Sequence, residues 1–568
     1  MKQFRKLIGC VLMLALFMCG CSEIPPHPPE RTIYPTFQTT SIKGLVKDAA
    51  NVPIAGATVR IQTTQIHTLS DKQGGFRLDL SEALGPVTIS AWKDGYYCGK
   101  IEEIVPSSEP ITIQLIQYQT NDNPDYVWVP PIGEGSCYSC KPAVTQIWLD
   151  NDTHAGSAKN LRFLTMYNGT DVDGNQSPPT RYGYIRDYGS FQLPPDTRQP
   201  YFGPGYKLDF PGTTGNCSAC HIPSVAIDNP YGIDPNLISG VDSYGIHCDF
   251  CHKIADVTLD SSTGLPFPNM PGVLSMDIRR PFPEDPERYQ LFFGTFDDDN
   301  VPEEDTYLPL MEESEFCAPC HFGVFWDQII YNSFGEWLNS PYSNSLTGQT
   351  CQDCHMPSPS VINGIPITNV AEGSGGVERD PLAIHAHTFP GAMSEDLLQN
   401  AVTMQIKTER KDSKIFVSVT ITNDKTGHHI PTDSPLRHML LLVQTLDQDG
   451  QTLNFEDGPV IPDWGGVGKP EEGYYAGLPG KAFARILQEV WTGVSPTGAY
   501  WNPTRELSDS RLAAMEIDKS EYIFTTPEEG EAKITVTLLF RRAFIELMDQ
   551  KSWDVPDIVM EEQTIILP

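Results

Sequence analysis

Four segments of this chain place two thiols three residues apart with an imidazole directly after the second. They are Cys217-Ser-Ala-Cys220-His221, Cys248-Asp-Phe-Cys251-His252, Cys317-Ala-Pro-Cys320-His321 and Cys351-Gln-Asp-Cys354-His355. On one helical turn this spacing aims both sulfurs at one edge of a flat group, with the imidazole beside its centre. That is the c-type haem attachment pattern, in which two thioethers fix the porphyrin and the histidine ligates the iron. Residue frequencies give about 0.01 such pentapeptides by chance. The competing reading is a pair of zinc ribbons, 217/220 with 248/251 and 317/320 with 351/354, since paired C-x-x-C units also suit tetrahedral zinc. Zinc leaves the histidine after every second cysteine without a purpose.

Electron transfer at such a centre is served by two strong axial ligands, so that little rearranges as charge moves. Of 13 histidines, four follow the C-x-x-C pairs, and further histidines must come from elsewhere in the chain. Covalent attachment of this kind belongs to exported proteins, and the N-terminus carries an export pattern. Lys2, Arg5 and Lys6 precede an apolar run from Leu7 to Met18, too short to span a membrane as a mature helix. The run ends in Met18-Cys19-Gly20-Cys21, which resembles a bacterial lipoprotein cleavage box with Cys21 as the lipidated residue. Plain cleavage and secretion is the alternative. Ser22 after the cysteine directs a Gram-negative lipoprotein of this kind to the outer membrane, facing the periplasm or the cell surface. Attachment would then be through lipid alone.

Charge narrows the partners. Asp and Glu outnumber Lys and Arg by 73 to 39, a net charge of −34, which opposes nucleic acid and anionic lipid. Such a surface either suits basic-surfaced redox proteins or is simply well solvated.

The elements that must position these groups fall into five stretches. Residues 1–20 read as the signal peptide and 21–38 as a Pro-rich tether containing Ile24-Pro-Pro-His-Pro-Pro29. Residues 39–118 read as short strands: Ile42, Gly44 and Val46 alternate with polar residues, and Asp71-Lys-Gln-Gly-Gly-Phe76 marks a turn. Their order, ending in Gly95-Tyr96, resembles the carboxypeptidase regulatory-like domain. That resemblance implies an immunoglobulin-like β-sandwich serving as a spacer or interaction module. Residues 119–395 hold the C-x-x-C segments and read as a mainly α and irregular multihaem domain. One helix is expected where Trp326, Ile330, Phe334 and Trp337 share a face, packing either on haem edges or in ordinary core. Residues 396–568 alternate again, with Ile415-Phe-Val-Ser-Val-Thr-Ile-Thr422, Met439-Leu-Leu-Leu-Val443 and Lys533-Ile-Thr-Val-Thr-Leu-Leu-Phe540 predicting a C-terminal β-sandwich. Cys98, outside every pair, reads as a small buried hydrophobe.

The central region resembles the multihaem cytochrome c superfamily that includes hydroxylamine oxidoreductase, its tetrahaem acceptor and the pentahaem nitrite reductases. Gly245-Ile-His-Cys-Asp-Phe-Cys-His-Lys253, Glu336-Trp-Leu-Asn-Ser-Pro-Tyr342 with Cys351-Gln-Asp-Cys-His-Met-Pro357, and Trp148 with Asp152-Thr-His154-Ala155 carry the likeness. The resemblance implies electron transfer through four or five covalent haems. It also implies distal ligands at His154, His247, His387 in His387-Thr-Phe-Pro-Gly391, and His428 in Thr426-Gly-His-His-Ile-Pro-Thr432. His385 and His429 are close rivals; His27, His67 and His438 read as structural or exposed.

Cys137-Tyr-Ser-Cys140-Lys141 stands where the nitrite reductases carry C-x-x-C-K, whose lysine ligates the catalytic haem. An amine binds iron only when deprotonated, against a reference pKa of about 10.4. Three readings stay open: a fifth haem with Lys141 as ligand, a lost haem site with a residual disulfide, and an unrelated pair. The first admits an enzyme acting on nitrite or hydroxylamine. Against it, residues 253–316 contain no histidine, where the reductases place one in their pocket. Arg181, Tyr182, Arg186 and Tyr188 are the polar candidates near such a pocket. No catalytic residue is assigned.

Overall fold

The computed structural model describes residues 41–80, 85–106, 109–282, 290–298, 301 and 304–568. The expected signal peptide, Cys21 and the tether with His27 lie outside the described residues. Alternation in the strand Ser41–Asp48 turns Ile42 and Val46 inward. This strand pairs antiparallel with Gly75–Asp79 and parallel with Ile111–Leu115. A second sheet runs in the order 67–69, 58–61, 87–92, 99–104. The two sheets bury Ile42, Val46, Val59, Ile89 and Leu115 between them. Gly44 has no substitute there, because a Cβ would stand 2.4 Å from the Ile111 carbonyl oxygen and 2.6 Å from the Phe76 ring.

This sandwich is bolted to the central region. Trp92 Nε1 donates to Thr306 Oγ1 at 3.1 Å, and Thr306 donates to the Tyr96 carbonyl at 2.8 Å. Tyr97 OH donates to the Gln290 carbonyl at 2.8 Å, and Arg60 pairs with Asp297 at 2.9 Å. Tyr97, Tyr118, Ala255, Leu291 and Phe293 form one apolar cluster across the junction. The docked element is the parallel pair Phe292–Gly294 with Asp305–Tyr307. Cys98 is buried, as expected for a small hydrophobe.

The expectation of a mainly α central region is corrected. The longest helix between 119 and 395 is Pro142–Asp150, nine residues, and the others are one or two turns. Short hairpins and irregular chain fill the rest, because Pro, Gly and Asn interrupt every apolar run before a helix can propagate. The expected helix bearing Trp326 is likewise corrected. Gly323–Phe325 and Gln328–Tyr331 form a hairpin, with Trp326 at φ 50° and Asp327 at φ 63° in its turn. Only Ser333–Leu338 is helical, burying Phe334, Glu336 and Trp337.

Beyond residue 402 the chain builds a second sandwich. One sheet orders its strands 403–411, 414–422, 517–525, 455–457; the other orders 504–509, 480–489, 438–447, 532–541, 558–567. Ile415, Val417, Val419, Met439, Leu441 and Val536 share one core. Two contacts lock it to the central region. Lys551, fully buried, donates to the carbonyls of Thr165, Thr170 and Pro204 at 3.1, 3.1 and 2.7 Å. Glu336 accepts from Arg511 Nη1 at 2.7 Å, His429 N at 3.2 Å and Thr432 Oγ1 at 2.5 Å. Among the described residues no helix is long and apolar enough to cross a membrane.

Candidate functional site

Each C-x-x-C segment is a single turn. The amides of His221, His252 and His321 donate to the carbonyls of Cys217, Cys248 and Cys317 at 3.1, 3.0 and 3.2 Å. Thr350 and Asp353 form a capping box over Cys351–His355, satisfying amides that a turn this short leaves free. The turns come together at their cysteines: Cys137 lies near Cys248, Cys220 near Cys320, Cys317 near Cys351, and Cys251 near Cys317 and Cys320. None of these cysteines is disulfide-bonded, Cys137 and Cys140 included. Among the described residues no group of three or more His, Cys, Asp or Glu is gathered to hold a metal ion. The four-thiolate arrangement that a zinc ribbon needs is therefore not assembled.

A connected cavity of about 880 Å³ runs along four of the five turns. Across it, imidazoles meet in pairs. His252 and His387 have ring centroids 6.4 Å apart with planes 26° apart; His355 and His428 stand 6.3 Å and 16° apart. A metal–nitrogen bond of about 2.0 Å plus a ring radius of about 1.15 Å, doubled, gives about 6.3 Å for two imidazoles on opposite sides of one metal. Second contacts set the tautomers. A carbonyl can only accept, so Nδ1–H of His252 donates to Phe293 O at 2.5 Å, of His355 to Pro390 O at 2.7 Å, and of His428 to His429 O at 2.8 Å. Burial pushes His355 down to about 4 and His387 to about 3, and lowers His252 and His428. The rings are thus neutral, and Nε2 lone pairs are left free for a metal in His252, His355 and His428, while Nδ1 of His387 is buried without a partner. The separation in each pair matches one metal ion between two imidazoles.

The remaining expected ligands are placed differently. His154 lies buried against Phe389 at 4.2 Å, near His321 and His355, and burial followed by those two histidines pushes it down to about 3. His321 Nδ1 stands 3.8 Å from Asp433 Oδ2; burial lowers its pKa, but the carboxylate outweighs that and holds it above the ordinary value. Lys141 lines the cavity, near both His252 and His387. His247 is fully buried, with Trp128 edge-on at 5.4 Å. Its Nδ1 accepts from Phe250 N at 3.3 Å, which puts the proton on Nε2, an atom left without a partner. His221 stacks on Phe163 at 4.1 Å and 2°. Of the rivals, His385 donates through Nδ1 to Met356 O at 2.8 Å and His429 faces Glu336 at 3.6 Å. Tyr188 is 86 % exposed and the hairpin 182–192 that carries it does not line the cavity.

Several contributors act through backbone or through contacts that only the fold reveals. Phe293 and Pro390 supply only carbonyls. Asp249 and Lys253 form a fully buried ion pair at 2.5 Å, with Tyr126 OH and Val129 N donating to the same carboxylate at 2.9 and 2.8 Å. That pair pins the second C-x-x-C-H turn. Glu336 stood within a quoted segment, but its grip on the loop carrying His428 follows only from the fold.

The carboxypeptidase regulatory-like domain family matches residues 41–115, the two-sheet unit described above. These residues are a carboxypeptidase regulatory-like domain. That domain contributes the wall behind Phe293, and so behind His252. No curated protein matches the chain. Among solved structures, a penta-haem cytochrome c552 from Thermochromatium tepidum is 17% identical, covering 76% of this chain and 97% of its own, with a TM-score of 0.49. A type II cohesin–X-dockerin complex from Acetivibrio cellulolyticus is 20% identical over 14% of this chain and 58% of its own, TM-score 0.12. The human CEP192 PapD-like domain 7 is 8% identical over 30% and 82%, TM-score 0.11.

Proposed function

We propose that this chain is an exported, lipid-anchored multihaem c-type cytochrome that carries electrons through five covalently attached haems, without a catalytic residue of its own. The observation that carries the reading is the pair of facing imidazoles. Each joins a C-x-x-C-H histidine to a histidine far along the chain, at the separation one iron between them requires. His252 with His387 and His355 with His428 would each hold one such group. His154 is assigned to His321, whose basicity Asp433 raises. Lys141 ligates the group on Cys137 and Cys140. His247 is left as a structural histidine, because its free ring nitrogen carries a proton.

When bound, haem supplies a one-electron carrier whose charge changes with little movement of its two axial ligands. The chain does the rest. Carbonyls of Phe293, Pro390 and His429 fix three ligand rings, and burial keeps them neutral. The fold brings the turns close together, Cys137 beside Cys248, Cys220 beside Cys320 and Cys317 beside Cys351. The leader ending in Cys21 supports placement at the outer membrane, and the charge of −34 supports basic-surfaced redox partners.

The test is low-temperature electron paramagnetic resonance of the oxidised protein and of His387→Ala and His428→Ala. Each variant is expected to convert one low-spin signal to high spin and leave the others unchanged. Unaltered spectra in both would remove these histidines from the iron.

A further inference from the structure

In a chain this acidic, buried arginines find carboxylates. Arg280 meets Asp122 and Asp228, Arg485 meets Glu506, Arg511 meets Glu336 and Asp509, and Arg541 meets Asp557, all within 2.9 Å. Arg162 and Arg542 break the pattern. Arg162 Nη2 donates to the Arg542 carbonyl at 2.9 Å, and its guanidinium lies 5.2 Å over the Trp553 ring. Arg542 buries its Nε without any partner. Among the described residues neither guanidinium has a carboxylate within ion-pair distance. Arg437 adds a third positive charge, only loosely balanced by Asp433 at 4.0 Å. Burial, then Arg542 and Arg437, push Arg162 down to about 10; burial and Arg437 lower Arg542 as well. Like charges half-buried together cost stability unless an anion answers them.

The surroundings favour an anion. Tyr331 and Tyr500 pack edge to face with ring centroids 5.7 Å apart, and the charge of Arg162 acts on Tyr500. Burial keeps both phenols protonated, so they remain donors. Phe163, next to Arg162 in the same helix, lies flat on His221. The cluster therefore lies beside the first C-x-x-C-H turn, which does not line the large cavity.

We propose that Arg162, Arg542 and Arg437, with the Tyr500 hydroxyl, form an anion-binding site beside Cys217–His221 that takes a carboxylate or a small oxyanion. Planar guanidiniums are suited to bind either through paired hydrogen bonds. The carboxylate has one source within the molecule, the propionates of the haem attached at that turn, and the oxyanion comes from solution. The first source rests on the function proposed above; the second does not.

The full-length holoprotein, Arg542→Gln and Arg162→Gln, with Arg542→Lys as the charge-preserving control, separate them. Sodium sulfate is titrated calorimetrically at constant ionic strength, and the haem midpoint potentials are measured in each protein. Saturable sulfate binding that weakens about tenfold or more in both Gln variants identifies a free-anion site. Absence of sulfate binding, with one midpoint potential falling in both Gln variants and recovering in Arg542→Lys, identifies propionates. Neither sulfate binding nor a changed potential overturns the site. Haem content by mass, measured in parallel, tells loss of this site from failure of the cytochrome reading. Should one Gln variant fail to fold, the other is read against the unaltered protein and Arg542→Lys by the same two measurements.

Discussion

At the residue scale, what matters is which ring nitrogen carries the proton. Carbonyls facing Nδ1 of His252, His355 and His428 leave Nε2 bare, whereas the Phe250 amide facing Nδ1 of His247 does the reverse. His247→Phe is therefore expected to keep every low-spin signal, in contrast to His387→Ala, and the same resonance spectra check it. His438 offers a test of burial free of iron. It is fully buried, stacked on Phe544 at 4.8 Å, and burial followed by Arg541 pushes it down to about 3. Below its unfolded value near 6.5 the unfolded chain takes up a proton that the folded chain refuses, so this contribution is lost as pH falls from about 6.5 towards 3. Its slope is at most about 1.4 kcal/mol per pH unit. Chemical denaturation of wild type and His438→Phe across that window is expected to show the gap between them changing in favour of the variant. A constant gap would mean that His438 is charged in the fold.

At the scale of elements, the molecule depends on pins between irregular chain and sandwich. Glu336 is 6 % exposed and holds the His428 loop through Thr432, the His429 amide and Arg511. Glu336→Ala leaves Arg511 to Asp509 alone and frees the loop, an expected loss of about 1–3 kcal/mol. It should also broaden or shift the signal of the His355–His428 pair. Denaturant melts and resonance spectra read the two effects. On the other side, Thr306→Val removes the link between Trp92 and the Tyr96 carbonyl. About 1–3 kcal/mol should go from the junction, with faster amide exchange confined to the strands 292–294 and 305–307. Much of this architecture was readable. Alternation in Ser41–Asp48 and Lys414–Thr422 fixes their inward faces, since a strand has only two. The hairpin at Trp326 was not readable, because apolar residues spaced by four and three suit a helix. Only the left-handed backbone at Trp326 and Asp327 reveals the turn. The C-x-x-C-H turns were legible because covalent chemistry demands contiguous residues. Glu336 and the arginine cluster were not, because their partners lie far along the chain.

At the scale of the whole molecule, two β-sandwiches clamp a region with little regular structure of its own. The N-terminal domain supports the strand whose Phe293 carbonyl orients His252, and the C-terminal sandwich delivers His428 to His355. Neither sandwich is a mere appendage on this reading, and under the function proposed above haems would supply the apolar centre that the irregular chain lacks. Intact mass tests that claim most directly. The signal-processed, lipid-free protein, produced in cells with haem-attachment machinery, is compared with its Cys137→Ala, Cys140→Ala variant. Five haem increments falling to four in the variant are the predicted result. Four in both would remove Lys141 as a ligand while keeping the four C-x-x-C-H sites, and a mass without haem would contradict the account.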